Sequence, residues 1–109
     1  MTDRYTVENA VASLKDDERG IYGVLLEHGT LELGFYRPQG SDPQQPHEQD
    51  EIYIVQSGHG VFMQGGKRQK FETGEALFVP AGVEHRFEEF SDDFAAWVVF
   101  YGPNGGEAQ

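Results

Sequence analysis

The sequence predicts an all-β domain, an antiparallel sandwich or barrel preceded by one short helix. Three observations lead there. Short runs rich in β-branched and aromatic residues recur from Gly20 to Tyr101, and they are too brief for helices. Turn residues separate these runs at close intervals, drawn from 14 glycines and 5 prolines. At 109 residues, with 38% hydrophobic content, eight Phe and five Tyr, the chain can build one core but not two, and it is not disordered.

The elements follow in order. Residues 1–20 form an N-terminal segment in which "TVENAVASL" (6–14) is expected to be a helix. Thr6 is its N-cap, and Val7, Val11 and Leu14 share a face. The barrel is expected over residues 21–101. Its strands are read at 21–27, 30–37, 51–56, 60–64, 67–72, 75–80, 84–89 and 94–101. Gly65-Gly66 suits a two-residue hairpin turn, where both positions need positive φ. In "EHRFEE" (84–89), His85 and Phe87 fall on one face and Glu84, Arg86 and Glu88 on the other, so His85 is expected on the dry side. Runs 52–55 and 94–101 are apolar on both faces. Such strands need a second sheet on one side and the N-terminal segment or another protomer on the other, which predicts a homodimer. Residues 102–109 are expected to fray.

Charge and composition exclude several functions. The formal net charge is −11, from 19 acidic and 8 basic residues, and so negative a surface repels nucleic acid and anionic membranes. The basic cluster "KRQK" (67–70) follows Gly65-Gly66 and reads as a solvated hairpin tip. With no cysteine, disulfides, thiolate metal sites and cysteine nucleophiles are all absent. The first residues are polar and no apolar run approaches spanning length, so a cytoplasmic location is expected.

The chemistry concentrates in two clusters. In "QPHEQDEIYIVQSGHG" (45–60), polar residues crowd the entrance of a strand that should be buried. Gln45, His47, Gln49 and Glu51 share parity, yet on a straight strand His47 and Glu51 would lie about 13 Å apart. The chain must bend between them if they are to meet, and Pro46 and "EQD" suit a loop or bulge there. A helix would also pair them at i and i+4, but the immediate "IYIV" argues for a strand. In "GEALFVPAGVEHRF" (74–87), Pro80 ends a strand, Gly82 turns the chain and His85 enters the next strand. Asp50 has the opposite parity to Glu51. His28 and His59 read as exposed residues at turns, and the acids from Glu84 to Asp93 as a solvated face.

Together the clusters resemble the two motifs of the cupin superfamily. The first is carried by Gly40, Gln45-x-His47, Glu51 and Gly58. The second is carried by Gly74, Pro80-x-Gly82, His85 and Glu89. The departures are Gln45, where the family has the first histidine of its pair, and Glu89, where it has asparagine. The resemblance implies a double-stranded β-helix, or jelly-roll, barrel of the small conserved cupin-2 type. It implies a divalent transition metal (iron, manganese, nickel, cobalt or zinc) on His47, Glu51 and His85, with Gln45 at the fourth ligand position. Two imidazoles and a carboxylate leave coordination positions open for a ligand. Tyr53 and Phe87 share parity with Glu51 and His85 and are expected in the pocket, and Arg37 is placed to meet an anionic substrate.

Three functions are open at this point. One is a metal-dependent enzyme on a small organic molecule, of dioxygenase type or an isomerase or lyase of a sugar or keto acid. Another is a non-catalytic module that binds a small ligand. The third is a metal-free barrel that binds a sugar directly.

Overall fold

The computed structural model describes residues 3–108. A helix, α1 (Val7–Ser13), runs into a 3₁₀ turn at Leu14–Asp16. Eight strands follow: β1 (Tyr22–His28), β2 (Leu31–Tyr36), β3 (Asp50–Ser57), β4 (His59–Gln64), β5 (Lys67–Glu72), β6 (Ala76–Val79), β7 (His85–Glu88) and β8 (Ala95–Tyr101). They form a five-stranded sheet, β1-β2-β8-β3-β6, and a three-stranded sheet, β5-β4-β7, with every pairing antiparallel. This is the all-β jelly-roll architecture the sequence predicts. Gly65 and Gly66 both take positive φ, 56° and 83°, at the tip joining β4 to β5.

The core lies between the sheets. Tyr53, Val55, Leu77 and Val98 from the larger sheet meet Phe62, Phe71 and Phe87 from the smaller one, and all are buried. Each belongs to the inward set of its strand because side chains alternate along the strand. In β7 the burial pattern follows the expected parity, with His85 and Phe87 inside and Arg86 outside.

The outer face of the larger sheet is only partly covered. The helix packs at one end through Ala10 and Leu14 against Phe35 and Ala95. Gly23 permits this approach, since a Cβ there would lie 1.9 Å from Ser13 Oγ. Of the three residues read as sharing a face, Leu14 is buried beside Ala10, whereas Val7 and Val11 are 39% and 36% exposed. Thr6 caps the helix as expected, its hydroxyl accepting from the Asn9 amide at 3.1 Å. Ile54 and Phe78 stay 39% and 50% exposed on the adjacent strands β3 and β6, so the described residues leave the second apolar face of run 52–55 only partly covered.

The C-terminal residues, expected to fray, are tied down as far as Glu107. The Gly105 amide donates to the Glu48 carbonyl at 2.7 Å, and the Glu107 amide donates to Asp50 Oδ2 at 2.9 Å. Among the described residues, no helix is long and apolar enough to cross a membrane.

Candidate metal centre

The site is built where the loop before β3 meets the starts of β3 and β7. His47 lies in that loop, after Pro46, and the chain bends at Glu48–Gln49 before β3 begins. The bend is what the 13 Å separation on a straight strand demanded. It is closed by His47 itself, whose Nδ1–H donates to the Gln49 carbonyl at 2.6 Å. His47 Nε2 thereby lies 2.5 Å from Glu51 Oε1. Glu51 is the second residue of β3 and 1% exposed. His85, the first residue of β7 and 2% exposed, donates Nδ1–H to the Val83 carbonyl at 2.9 Å. Its Nε2 lies 3.3 Å from the same Glu51 oxygen. Ligand atoms from all three residues fall within 4.8 Å of one another.

The two sequence clusters are joined by backbone. The Gly82 amide donates to the His47 carbonyl at 2.7 Å, in a turn where Gly82 has φ 79°, a conformation that favours glycine. Asp50 reinforces the junction, accepting from the Ala81 amide at 2.9 Å as well as from Glu107. Its parity does turn it away from Glu51, but toward the Ala81 and Glu107 amides; it is 6% exposed.

These groups suit a divalent cation. A carbonyl oxygen only accepts, so both histidines must carry hydrogen on Nδ1. Each Nε2 is then left with a lone pair aimed at a carboxylate oxygen, an arrangement that calls for a proton or a metal ion between them. Ligand bonds of about 2.1 Å at right angles place donor atoms about 3 Å apart. The Glu51–His85 spacing meets this, and His47 and Glu51 need to part by about half an ångström. The acid–base balance fits the same picture. Burial works to lower the pKa of His47, but the hydrogen bond and charge of Glu51 outweigh it and raise the value above the ordinary imidazole range. Burial opposes ionisation of Glu51, yet its hydrogen bonds to His47 and His85 hold its pKa below the usual carboxylate value.

The fourth position departs from the sequence expectation. Gln45 is exposed at the rim. Its neighbour Gln44 instead brings an amide oxygen to 3.1 Å from His85 Nε2. That oxygen also accepts from the Tyr53 hydroxyl at 2.6 Å. Gln44 is oriented by Asp42, whose carboxylate accepts from its side-chain amide at 2.6 Å and its backbone amide at 3.1 Å. Asp42 also takes the Phe87 amide at 2.8 Å and the Tyr36 hydroxyl. The signal for Asp42 was the Asp-Pro pair in "SDPQQP", since an aspartate bonded to the amide two residues on is a common turn former.

Tyr53 is buried beside the site, 3.2 Å from His85 Nε2. Burial, then the charge of Glu51, pushes its phenol well above the ordinary range. Phe87 belongs to the core, packed on Phe62, Phe71 and Phe94, and not to the cleft. Arg37 lines a separate cleft beside the helix, with Val11 and Asp92, so it does not face the histidines. A cleft of about 360 Å³ opens over His47 and Glu51, walled by Tyr22, Tyr36, Tyr53 and Phe100. His28 and His59 are exposed and outside it.

Comparison with known proteins agrees with this fold. The family model described as "Cupin domain" matches residues 33–101. An uncharacterized protein of Streptomyces coelicolor is 36% identical over 86 residues, which cover 77% of this chain and 82% of that one. Among solved structures, a cupin 2 conserved barrel domain protein from Salinispora arenicola superposes with a TM-score of 0.67 at 19% identity, covering 94% of this chain and 89% of the other. A Ralstonia eutropha protein proposed to be a mannose-6-phosphate isomerase gives a TM-score of 0.67 at 23% identity, covering 76% and 84%.

Proposed function

The chain belongs to the cupin family, and on that premise we propose that it is a divalent-metal-dependent enzyme of dioxygenase type. Its substrate is a small organic molecule held in the cleft over His47 and Glu51. The observation that carries this reading is the convergence of two imidazole nitrogens, each freed for ligation by a backbone bond at the other ring nitrogen, on one buried carboxylate. His47, Glu51 and His85 would hold iron, manganese, nickel, cobalt or zinc, with the Gln44 amide oxygen rather than Gln45 beside them. Bound there, the ion would supply a Lewis acid with coordination positions left open toward the cleft.

The remaining work falls to the protein. Tyr53 stays protonated and gives its hydrogen to Gln44, which keeps the amide oxygen turned toward His85. Phe100 and Val98 give the cleft apolar wall, limiting water around a bound molecule. The test is oxygen consumption by iron(II)-loaded protein over a panel of enolic and phenolic compounds. Uptake above that of a His85→Ala variant is expected. Turnover without oxygen uptake would replace this reading with an isomerase or lyase, and binding without turnover with a ligand-binding module.

The same reading includes a homodimer and a cytoplasmic location. Ile54 and Phe78 supply the exposed apolar face a second copy would cover. Light scattering after size exclusion should give twice the mass of one chain, and a monomeric wild type would remove the dimer.

A further inference from the structure

The cleft over the histidines is short of hydrogen-bond donors. Three phenols line it, and each has already committed its single proton. Tyr22 donates to Glu32 Oε2 at 2.6 Å, Tyr53 to Gln44 Oε1 at 2.6 Å, and Tyr36 to Asp42 Oδ1. A hydroxyl that has donated has only lone pairs left to offer. Asp17, also on the wall, is a carboxylate occupied by the Ile21 and Tyr22 amides at 2.9 and 3.3 Å. The lining therefore presents oxygen acceptors to a ligand almost throughout.

Two donors remain, the Gln45 side-chain amide at the exposed rim and the guanidinium of Arg19, and of the two only Arg19 is charged. It reaches this lining from the N-terminal segment; its backbone bonds to Asp17 and its charge acts on Asp17 and Tyr36, but among the described residues its guanidinium forms no hydrogen bond or salt bridge. Its guanidinium has five donors in a planar fork that matches a carboxylate. On a chain of net charge −11, it lines the same cleft as His47 and Glu51, where a proposed metal would also attract oxygen anions. A neutral sugar would find acceptors in the cleft but would leave the arginine unused.

We propose that the cleft selects a small hydroxy-carboxylate, and that Arg19 is the residue that recognises its carboxylate. This rests on the reading of His47, Glu51 and His85 as the reaction centre. The ligand's hydroxyls donate to the oxygens of Tyr22 and Tyr36, and an oxygen at its other end points to the histidines. A cleft of about 360 Å³ falls in the range of small-molecule sites and has room for a sugar-acid skeleton.

The test compares gluconate with sorbitol, its neutral counterpart, by calorimetry on wild type, Arg19→Gln and Arg19→Lys, each with and without added manganese. Manganese uptake is measured separately on the same samples. Wild type is expected to bind gluconate about tenfold more tightly than sorbitol, the scale of one charged hydrogen-bonded pair. Arg19→Gln should lose that preference while keeping its fold by circular dichroism, and Arg19→Lys should keep part of it. An unchanged acid-to-polyol ratio in Arg19→Gln overturns the proposal, as does a wild type that binds neither compound. Failure of manganese uptake is a separate result, which removes the metal reading and leaves the arginine comparison readable in metal-free protein.

Discussion

Glu51 Oε1 and His85 Nε2 face each other at 3.3 Å although β3 and β7 belong to different sheets. Neither residue can reach the other by local structure, so the contact exists only once the two sheets have closed on their shared core. Folding and site assembly are therefore one event, and changes that loosen the junction between the sheets should register in both stability and metal uptake.

Gly82 is the first such place. An alanine there would have to hold φ near 79° while its amide still donates a hydrogen bond to the His47 carbonyl. Gly82→Ala is expected to lose about 1 kcal/mol or more and to lower the Tm by about 4 °C or more. Thermal melts followed by circular dichroism measure this. An unshifted Tm would mean the turn does not constrain His47.

Asp42 is the second. Its carboxylate holds Tyr36, the backbone and side-chain amides of Gln44, and the Phe87 amide. Asp42→Ala leaves these donors without a partner and is expected to cost about 2 kcal/mol or more in urea unfolding. Asp42→Asn should cost less, because an amide oxygen still accepts.

Gln44 and Gln45 separate the site's two readings of its fourth position. Gln44→Ala should weaken manganese binding about tenfold, the scale of losing an orienting neighbour, and Gln45→Ala should leave it within roughly twofold. Calorimetric titration of both variants distinguishes them. The reverse ranking would restore Gln45 to the position the sequence motif gave it.

Acid stability should report Asp17. Its hydrogen bond from the Ile21 amide, with further help from Tyr22 and the charge of Arg19, holds its pKa below the ordinary carboxylate value. A group depressed in the folded state binds protons more readily when unfolded. Its contribution is thus present above the unfolded pKa of about 3.9 and is lost as pH falls through the lower folded value. The stability gap between wild type and Asp17→Asn should be widest near neutral pH and close below about pH 4. A gap independent of pH would contradict the assignment.

Some of the fold and site could be read from the residues, and the reasons differ by element. His85 was legible because a four-residue strand with alternating polarity leaves one choice of inward face. Glu51 was legible for the same reason at the start of "EIYIV". Gln44 was not, because Pro43 and Pro46 frame a stretch without strand periodicity, and parity carries no information outside a strand. The helix face was misread because "VENAVAS" is short enough to dock by its small Ala10, which lies closest to the sheet, while the larger valines stay outside. Arg37 was singled out in sequence and Arg19 was not, because the fold alone decides which cleft each one lines.

Metal uptake by wild type against His85→Ala tests the central claim most directly. Protein purified without chelators or a histidine tag is titrated with iron(II), manganese, nickel, cobalt and zinc, and the bound metal is measured by elemental analysis. At least one of these should bind wild type at about one ion per chain. His85→Ala should bind it about a hundredfold or more weakly, beyond the cost of losing an outer hydrogen-bond partner. Equal uptake of every metal by the two proteins would contradict the account.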